Sequence, residues 1–319
     1  MKEIVIAADL GGTNLRMAGV DRDGNIFYRI NRVTPRTECA EEIISLICEA
    51  AAECIENISQ KMNVKILALA AALPAILNVE DGIILKAPNV PSLDGFLFSE
   101  ALKNTLKLPC VLENDANAAA IGENWRGTSK NFNNSIMVTL GTGIGGGIII
   151  DGRILRGTNG TAGEIGHICV EPFGTLCGCG SRGCVEQYAS ASAIVRLARE
   201  LESVYPKSPL CEKFRFSALE VYEAGIDGDE LALEVFRQQG FYLGIALAGL
   251  INVLNPEIIV IGGGAAEGWT LFAPAMVEQI SRRSYREPAE RAKMVRSALG
   301  DDAGILGAAR LAFDKYSGF

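Results

Sequence analysis

The 319-residue chain carries 30 Lys and Arg against 38 Asp and Glu, a formal net charge of −8, and it holds nine cysteines but a single histidine, His167. Its 49% hydrophobic content is ample for a large core and excludes a disordered chain, and its length suits two domains. An acidic chain with no long Lys/Arg run lacks the basic face of a sequence-independent nucleic-acid binder, and any chemistry needing two histidines is excluded.

Met1-Lys2-Glu3 leads into Ile4-Val5-Ile6-Ala7-Ala8, which Asp9 ends well short of the roughly 7–15 apolar residues of a secretory signal. Residues 3–27 read as strand, glycine-rich turn, strand, Asp/Gly turn and strand. The apolar spacing of Ile43, Ile44, Ile47, Ala51, Cys54, Ile55 and Ile58 predicts an amphipathic helix over Glu38–Asn63. Val64–Ala72 reads as a fully apolar strand. The longest uncharged apolar stretch, Ile66 to Leu77, contains Pro74 and falls short of the roughly 20 residues that span a bilayer. The protein is therefore expected in the cytoplasm, where clustered thiols bind metal more often than they form disulfides.

A short helix is predicted over Ser99–Leu106, a strand at Cys110–Leu112 and a helix over Asn117–Trp125. Residues 135–155 then repeat the strand–turn pattern of residues 3–27, which predicts two related domains offset by about 130 residues. Helices over Ala189–Ser203 and Gly228–Leu254, a buried strand at Glu257–Ile261, and helices over Trp269–Ser284 and Gly304–Tyr316 complete an alternating α/β chain.

Two glycine motifs mislead. Gly141-Thr-Gly143-Ile-Gly-Gly146 matches a dinucleotide fingerprint literally, but Gly147-Ile148-Ile149-Ile150 predicts a strand after it where that fingerprint needs a helix. The Gly-Lys-Ser/Thr of a P-loop is absent. What remains is a pair of small-residue hairpin turns, Asp9-Leu-Gly11-Gly12-Thr13-Asn14 and Gly141-Thr142-Gly143, plus Gly262-Gly263-Gly264 after a strand. Such turns bring backbone N–H groups close to phosphate oxygens, Thr13 and Thr142 add hydroxyls, and Asp9 is placed to hold magnesium. The competing reading is tight turns with no ligand.

Cys177-Gly-Cys179-Gly-Ser-Arg-Gly-Cys184, with His167 ten residues upstream, offers a Cys₃His set of the kind that holds structural zinc. Reduced, unused thiols beside one core histidine are the alternative. Cysteines 39, 48, 54, 110 and 211 lie among apolar residues and read as core; Cys169 has no assignment.

These pieces together resemble the ROK family of sugar kinases and sugar-responsive repressors, within the actin/hexokinase/Hsp70 superfamily. The resemblance runs from Asp9–Asn14 through Glu113-Asn114-Asp115, Leu140–Gly147, Glu164-x-Gly166-His167, the cysteine run and Gly262–Gly264 to Ala303–Ala309. It implies two similar actin/hexokinase-like (ribonuclease H-like) α/β domains with a nucleotide and sugar cleft between them, here 1–116 plus 303–319 and 117–302. It also implies an ATP-dependent hexose kinase, foremost a glucokinase, with Mg²⁺, structural Zn²⁺ and a homodimeric or homotetrameric state. Carried onto this sequence, Asp115 is the general base. Asn89, Asn114, Glu164, His167 and Glu186 hold the sugar. His167, Cys177, Cys179 and Cys184 hold zinc, and Asp9, the three glycine runs, Thr13, Asn14 and Thr142 face the nucleotide.

Blander readings stand beside three of these. Asp115 is also a favoured helix N-cap, Glu186 a helix N-terminal charge, and the whole chain a catalytically silent sugar-binding protein. Within the family the alternatives are an N-acetylmannosamine, N-acetylglucosamine, allose or mannose kinase, another phosphoryl donor, or a repressor. The repressor reading is disfavoured because Asp9 begins the first loop nine residues in, leaving no room for a preceding DNA-binding domain. One departure from the family bears on the sugar: Ala70, Ala72 and Ala75 stand where it often carries glycine.

Overall fold

The apolar residues Ile4–Ala8 are completely buried because they lie in a strand covered on both faces. Ile4, Ile6 and Ala8 face one core, shared with the first long helix, while Val5 and Ala7 face a second, shared with the last. The computed structural model describes residues 1–88 and 90–316. In chain order its elements begin β1 (Lys2–Leu10), β2 (Asn14–Asp21), β3 (Ile26–Val33), α1 (Ala40–Lys61), β4 (Val64–Leu73), β5 (Ile76–Asn78) and β6 (Ile83–Lys86). They continue α2 (Phe98–Leu106), β7 (Cys110–Asn114), α3 (Asp115–Arg126), β8 (Ser135–Leu140), β9 (Ile144–Ile150) and β10 (Arg153–Ile154). Then come α4 (Glu186–Ala189), α5 (Ala191–Leu201), α6 (Ala218–Ile226) and α7 (Glu230–Leu254). The chain ends β11 (Ile258–Gly262), α8 (Trp269–Arg283), α9 (Arg286–Arg291), β12 (Lys293–Arg296) and α10 (Asp302–Tyr316).

Two five-stranded sheets have the same plan. One runs β3-β2-β1-β4-β7 and the other β10-β9-β8-β11-β12. In the first, β1–β2 and β2–β3 are antiparallel while β1–β4 and β4–β7 are parallel. In the second, β9–β10 is antiparallel while β8–β11 and β11–β12 are parallel. The internal repeat is therefore a repeat of topology. The strand after Gly141–Gly143 also removes the dinucleotide fingerprint, as its β-branched run requires.

The chain divides into two compact units, residues 1–131 with 147–163 and 298–319, and residues 132–146 with 164–297. The boundary expected at 116/117 would cut α3 after its second residue. Instead, Ala118 of α3 shares a core with Val5, Ala7, Ile305 and Ala309, which keeps the helix in the first unit. No helix among the described residues is long and apolar enough to cross a membrane.

Candidate functional site

In the first unit, Glu113, Asn114 and Asp115 stand at the junction of β7 and α3. Asn114, rather than Asp115, is the N-cap: its Oδ1 accepts from the backbone N–H groups of Ala116 (3.0 Å) and Asn117 (3.1 Å). Its Nδ2 donates to the Ala75 carbonyl at 3.3 Å, leaving a second amide hydrogen for a ligand. Asp115 is thereby the first helical residue, half-buried, with Oδ1 accepting from Ala116 N–H at 2.8 Å. A negative charge is favoured at that end of a helix. The capping explanation for Asp115 thus passes to its neighbour.

Glu113 has a role the sequence reading missed. Only 2% exposed, it accepts two bonds from Arg156 (2.6 and 3.1 Å), one from Asn117 Nδ2 (3.2 Å) and one from Asn114 N–H (3.1 Å). A carboxylate at the end of the apolar strand Cys110–Leu112 was the available signal, because a buried charge needs a partner. That partner lies 43 residues away and has no local signature.

The turn between β1 and β2 is closed by Gly11 N–H donating to the Asn14 carbonyl at 2.8 Å, with Gly12 and Thr13 exposed at its tip. Asp9 lies just before it, 3.6 Å from Arg16, which also reaches Asp301 at 3.0 Å. Burial pushes Asp9 up from the ordinary 3.8 to about 6; Arg16 opposes the shift and Asp301 adds to it. The folded state therefore binds more protons at this position than the unfolded chain between those values, so its contribution to stability falls as pH rises through that window. Asp9→Asn is expected to raise the melting temperature of the ligand-free protein above about pH 6, by up to roughly 3 kcal/mol of stability, and to have little effect below about pH 4. Calorimetry across this range checks it, and equal melting at pH 7.5 would contradict it.

The second unit repeats the device. Gly141 N–H donates to the Gly143 carbonyl at 2.9 Å, and Thr142 is exposed at the tip. The turn is anchored to α5 by Ala191 N–H on the Gly141 carbonyl and Ser192 Oγ on the Thr142 carbonyl, both 2.8 Å. Gly263, at φ +84°, lies against the Leu140 backbone, where an added Cβ would be 2.5 Å from the carbonyl oxygen. Of the third glycine run, Gly262 ends β11 and Gly264 opens a 3₁₀ turn. Glu186 is the first residue of α4, and its Oε2 accepts from Ile144 N–H at 2.9 Å, immediately after the Gly141–Gly143 turn. Glu186 thus holds the helix N-terminal position, and one of its oxygens is committed to the backbone.

Glu164 precedes a 3₁₀ turn, Ile165–His167, of which His167 is the last residue, and both Glu164 and His167 are exposed. Gly166 between them is packed on Ile144, whose carbonyl oxygen an added Cβ would meet at 2.3 Å. Larger residues are excluded there, and this holds His167 in place. His167 and the Sγ atoms of Cys177, Cys179 and Cys184 present four donors within 4.8 Å of one another. Cys177 Sγ is 3.7 Å from His167 Nδ1, and Cys179 Sγ is 3.7 Å from Cys184 Sγ. Metal–sulfur bonds of about 2.3 Å at tetrahedral angles separate ligand atoms by about 3.8 Å, so the donor set and its spacing suit a tetrahedral ion. Burial, reinforced by the neighbouring thiols, pushes the Cys184 thiol up to about 12, while the Ser181 backbone holds Cys179 below the usual thiol range. A divalent cation supplies the charge that would hold all three as thiolates. Gln187 Nε2, 3.7 Å from Cys177 Sγ, is a further donor toward the cluster. Cys48, Cys54 and Cys110 are core residues; Cys39 is exposed and Cys211 half-buried, against expectation, because each borders a helix end or loop.

The predicted residues thus fall into two sets. Asp9, Gly11–Asn14, Asn114 and Asp115 lie in the first unit; Gly141–Gly143, Glu164, His167, Glu186, Gly262–Gly264 and the three cysteines lie in the second. Asn89 lies outside the described residues. Ala70 and Ala72 bury their methyls in a core, and Ala75 is buried with its carbonyl on Asn114. None of the three has a positive φ, so alanine strains no backbone there.

The glucokinase of Halalkalibacterium halodurans is 36% identical over 308 residues, 95% of this chain and 92% of that protein. The crystal structure of a ROK family glucokinase from Streptomyces griseus in complex with glucose and AMPPNP matches with a TM-score of 0.84 at 33% identity, over 98% of this chain and 99% of that one. A ROK family transcriptional regulator, a homolog of the E. coli MLC protein, matches with a TM-score of 0.89 at 28% identity, over 99% of this chain and 79% of that one. The profile of the ROK family itself spans residues 5–315, and this chain belongs to the ROK family.

Proposed function

We propose that this chain is an ATP-dependent glucose kinase, forming glucose 6-phosphate and ADP, with Asp115 as the general base. The observation that carries this reading is the β7–α3 junction: Asn114 takes over the helix cap, which releases Asp115 from that task and sets it at the start of α3. Likeness to glucokinases along the length of the chain supports the choice of substrate.

In the transfer, the 6-hydroxyl oxygen of glucose forms a bond to the γ-phosphorus while the bond to the β–γ bridging oxygen breaks. ADP leaves, and the hydroxyl proton passes to Asp115. Asn89, Asn114, Glu164, His167 and Glu186 hold the sugar hydroxyls. Backbone N–H groups of Gly11–Asn14 and Gly141–Gly143 approach the phosphates, and Gly262–Gly264 face the adenosine. Magnesium bound with the nucleotide would supply charge neutralisation, and Asp9 would hold it; burial raises the Asp9 pKa and Arg16 only partly offsets that. His167, Cys177, Cys179 and Cys184 would hold zinc, which supplies a fixed fold for the loop. With Nδ1 committed to that set, the His167 Nε2–H donates in one fixed direction.

The reaction commits a hexose to glycolysis in the cytoplasm, and the acting form is a homodimer or homotetramer, which light scattering would separate. An ADP-release assay with glucose, mannose, allose, N-acetylglucosamine and N-acetylmannosamine tests the substrate assignment. Glucose is expected to give the highest kcat/KM. Sugar binding without turnover of any sugar would instead mark a sugar-responsive regulator.

A further inference from the structure

The base and its sugar ligands leave unused the buried Glu113 and its partner Arg156. We propose that Arg156 is a positioning residue for Asp115, acting through Glu113; this rests on the kinase reading of Asp115. Four donors converge on the Glu113 carboxylate, two from the junction that frames Asp115 and two from Arg156. Asn114 N–H fixes the preceding peptide, Asn117 Nδ2 fixes the first helical turn, and the forked Arg156 bonds fix the carboxylate itself. Asp115 lies between Asn114 and Asn117, so a shift of Glu113 moves the base. Arg156 is held in turn by its own loop, whose Ala162 N–H donates to the Arg156 carbonyl at 3.1 Å.

The two partners differ in exposure, and this sets the direction of the test. Arg156 is 37% exposed and is solvated when its partner is lost, whereas Glu113, at 2%, is not. Arg156→Ala therefore strands a buried charge two residues from the base, while Glu113→Gln keeps the acceptor for Asn117 and removes the charge.

The experiment is a double-mutant cycle on the metal-containing protein, with thermal melts to confirm folding. Arg156→Ala is expected to lower kcat about 30-fold or more while KM for glucose and ATP stays within about threefold. Glu113→Gln is expected to cost about fivefold or less, and Glu113→Gln with Arg156→Ala to recover to within about threefold of Glu113→Gln alone. Arg156→Lys, which keeps the charge but loses the fork, stands in if the alanine variant fails to fold and should also lose kcat with KM preserved. A wild-type kcat in folded Arg156→Ala or Arg156→Lys, strictly additive effects, or a loss confined to KM would overturn the proposal; the last would mean that Arg156 touches a substrate. Asp115→Asn run alongside separates the two levels. A kcat within about tenfold of the parent in Asp115→Asn sinks the base assignment, whereas an Asp115→Asn slowed about 10³-fold beside a fully active Arg156→Ala sinks only this inference.

Discussion

Asp115→Asn is expected to lower kcat for glucose phosphorylation by about 10³-fold, within the range that a positioned general base contributes. The substitution keeps the size of the side chain and an Oδ1 acceptor for Ala116 N–H, so the β7–α3 junction should keep its shape. Because Asn114 supplies the cap, the change removes no capping bond, and melting should shift little. Glucose affinity, measured by calorimetry, should stay within about threefold of the parent, which places the loss in the chemical step. A kcat within about tenfold of the parent would return Asp115 to a structural role.

Cys184→Ser should be the most damaging single substitution in the second unit. Cys184 is fully buried, it belongs to the four-donor set, and Glu186 follows two residues later with its bond to Ile144. The loop around it closes on itself through backbone bonds such as Val170 N–H to the Gly183 carbonyl (2.8 Å) and Val185 N–H to the Ile168 carbonyl (2.9 Å), so a change at Cys184 acts on the whole loop. A Cys₃His site contributes directly to folding, so loss of one ligand should strip the metal, lower the melting temperature by many degrees and abolish turnover. Metal analysis should find about one zinc per parent chain and almost none in Cys184→Ser. Cys169 provides the control. It faces Cys184 across an antiparallel bridge but lies outside the four-donor set, so Cys169→Ser should keep its zinc. Equal metal content in all three proteins would contradict the ligand assignment.

Both predictions depend on features that the sequence revealed unequally. The two meanders and the long helices were legible because apolar periodicity and turn residues agree over many positions; α1, expected over 38–63, runs Ala40–Lys61. Helix α3 begins two residues earlier than expected because Asn114 and Asp115 are adjacent and equally good caps, and the sequence alone does not choose between them. Strands β5 and β12, of three and four residues, are too short for an alternating pattern to register. Helix α6 opens on the Ser217–Glu220 capping box, a signal carried by two residues and not by an apolar period. The four metal donors were legible from composition within one short stretch. The Glu113–Arg156 pair and the Glu186–Ile144 bond join residues 43 and 42 positions apart, and only the folded chain brings them together.

The central claim is that this chain transfers the γ-phosphoryl group of ATP to the 6-hydroxyl of glucose with Asp115 accepting the proton. Phosphorus NMR of the purified protein, supplied with zinc, with glucose and magnesium ATP tests it most directly. The account predicts glucose 6-phosphate and ADP appearing in equal amounts, and both forming about 10³-fold more slowly in Asp115→Asn. ATP left intact, or ADP formed with inorganic phosphate and no sugar phosphate, would contradict it.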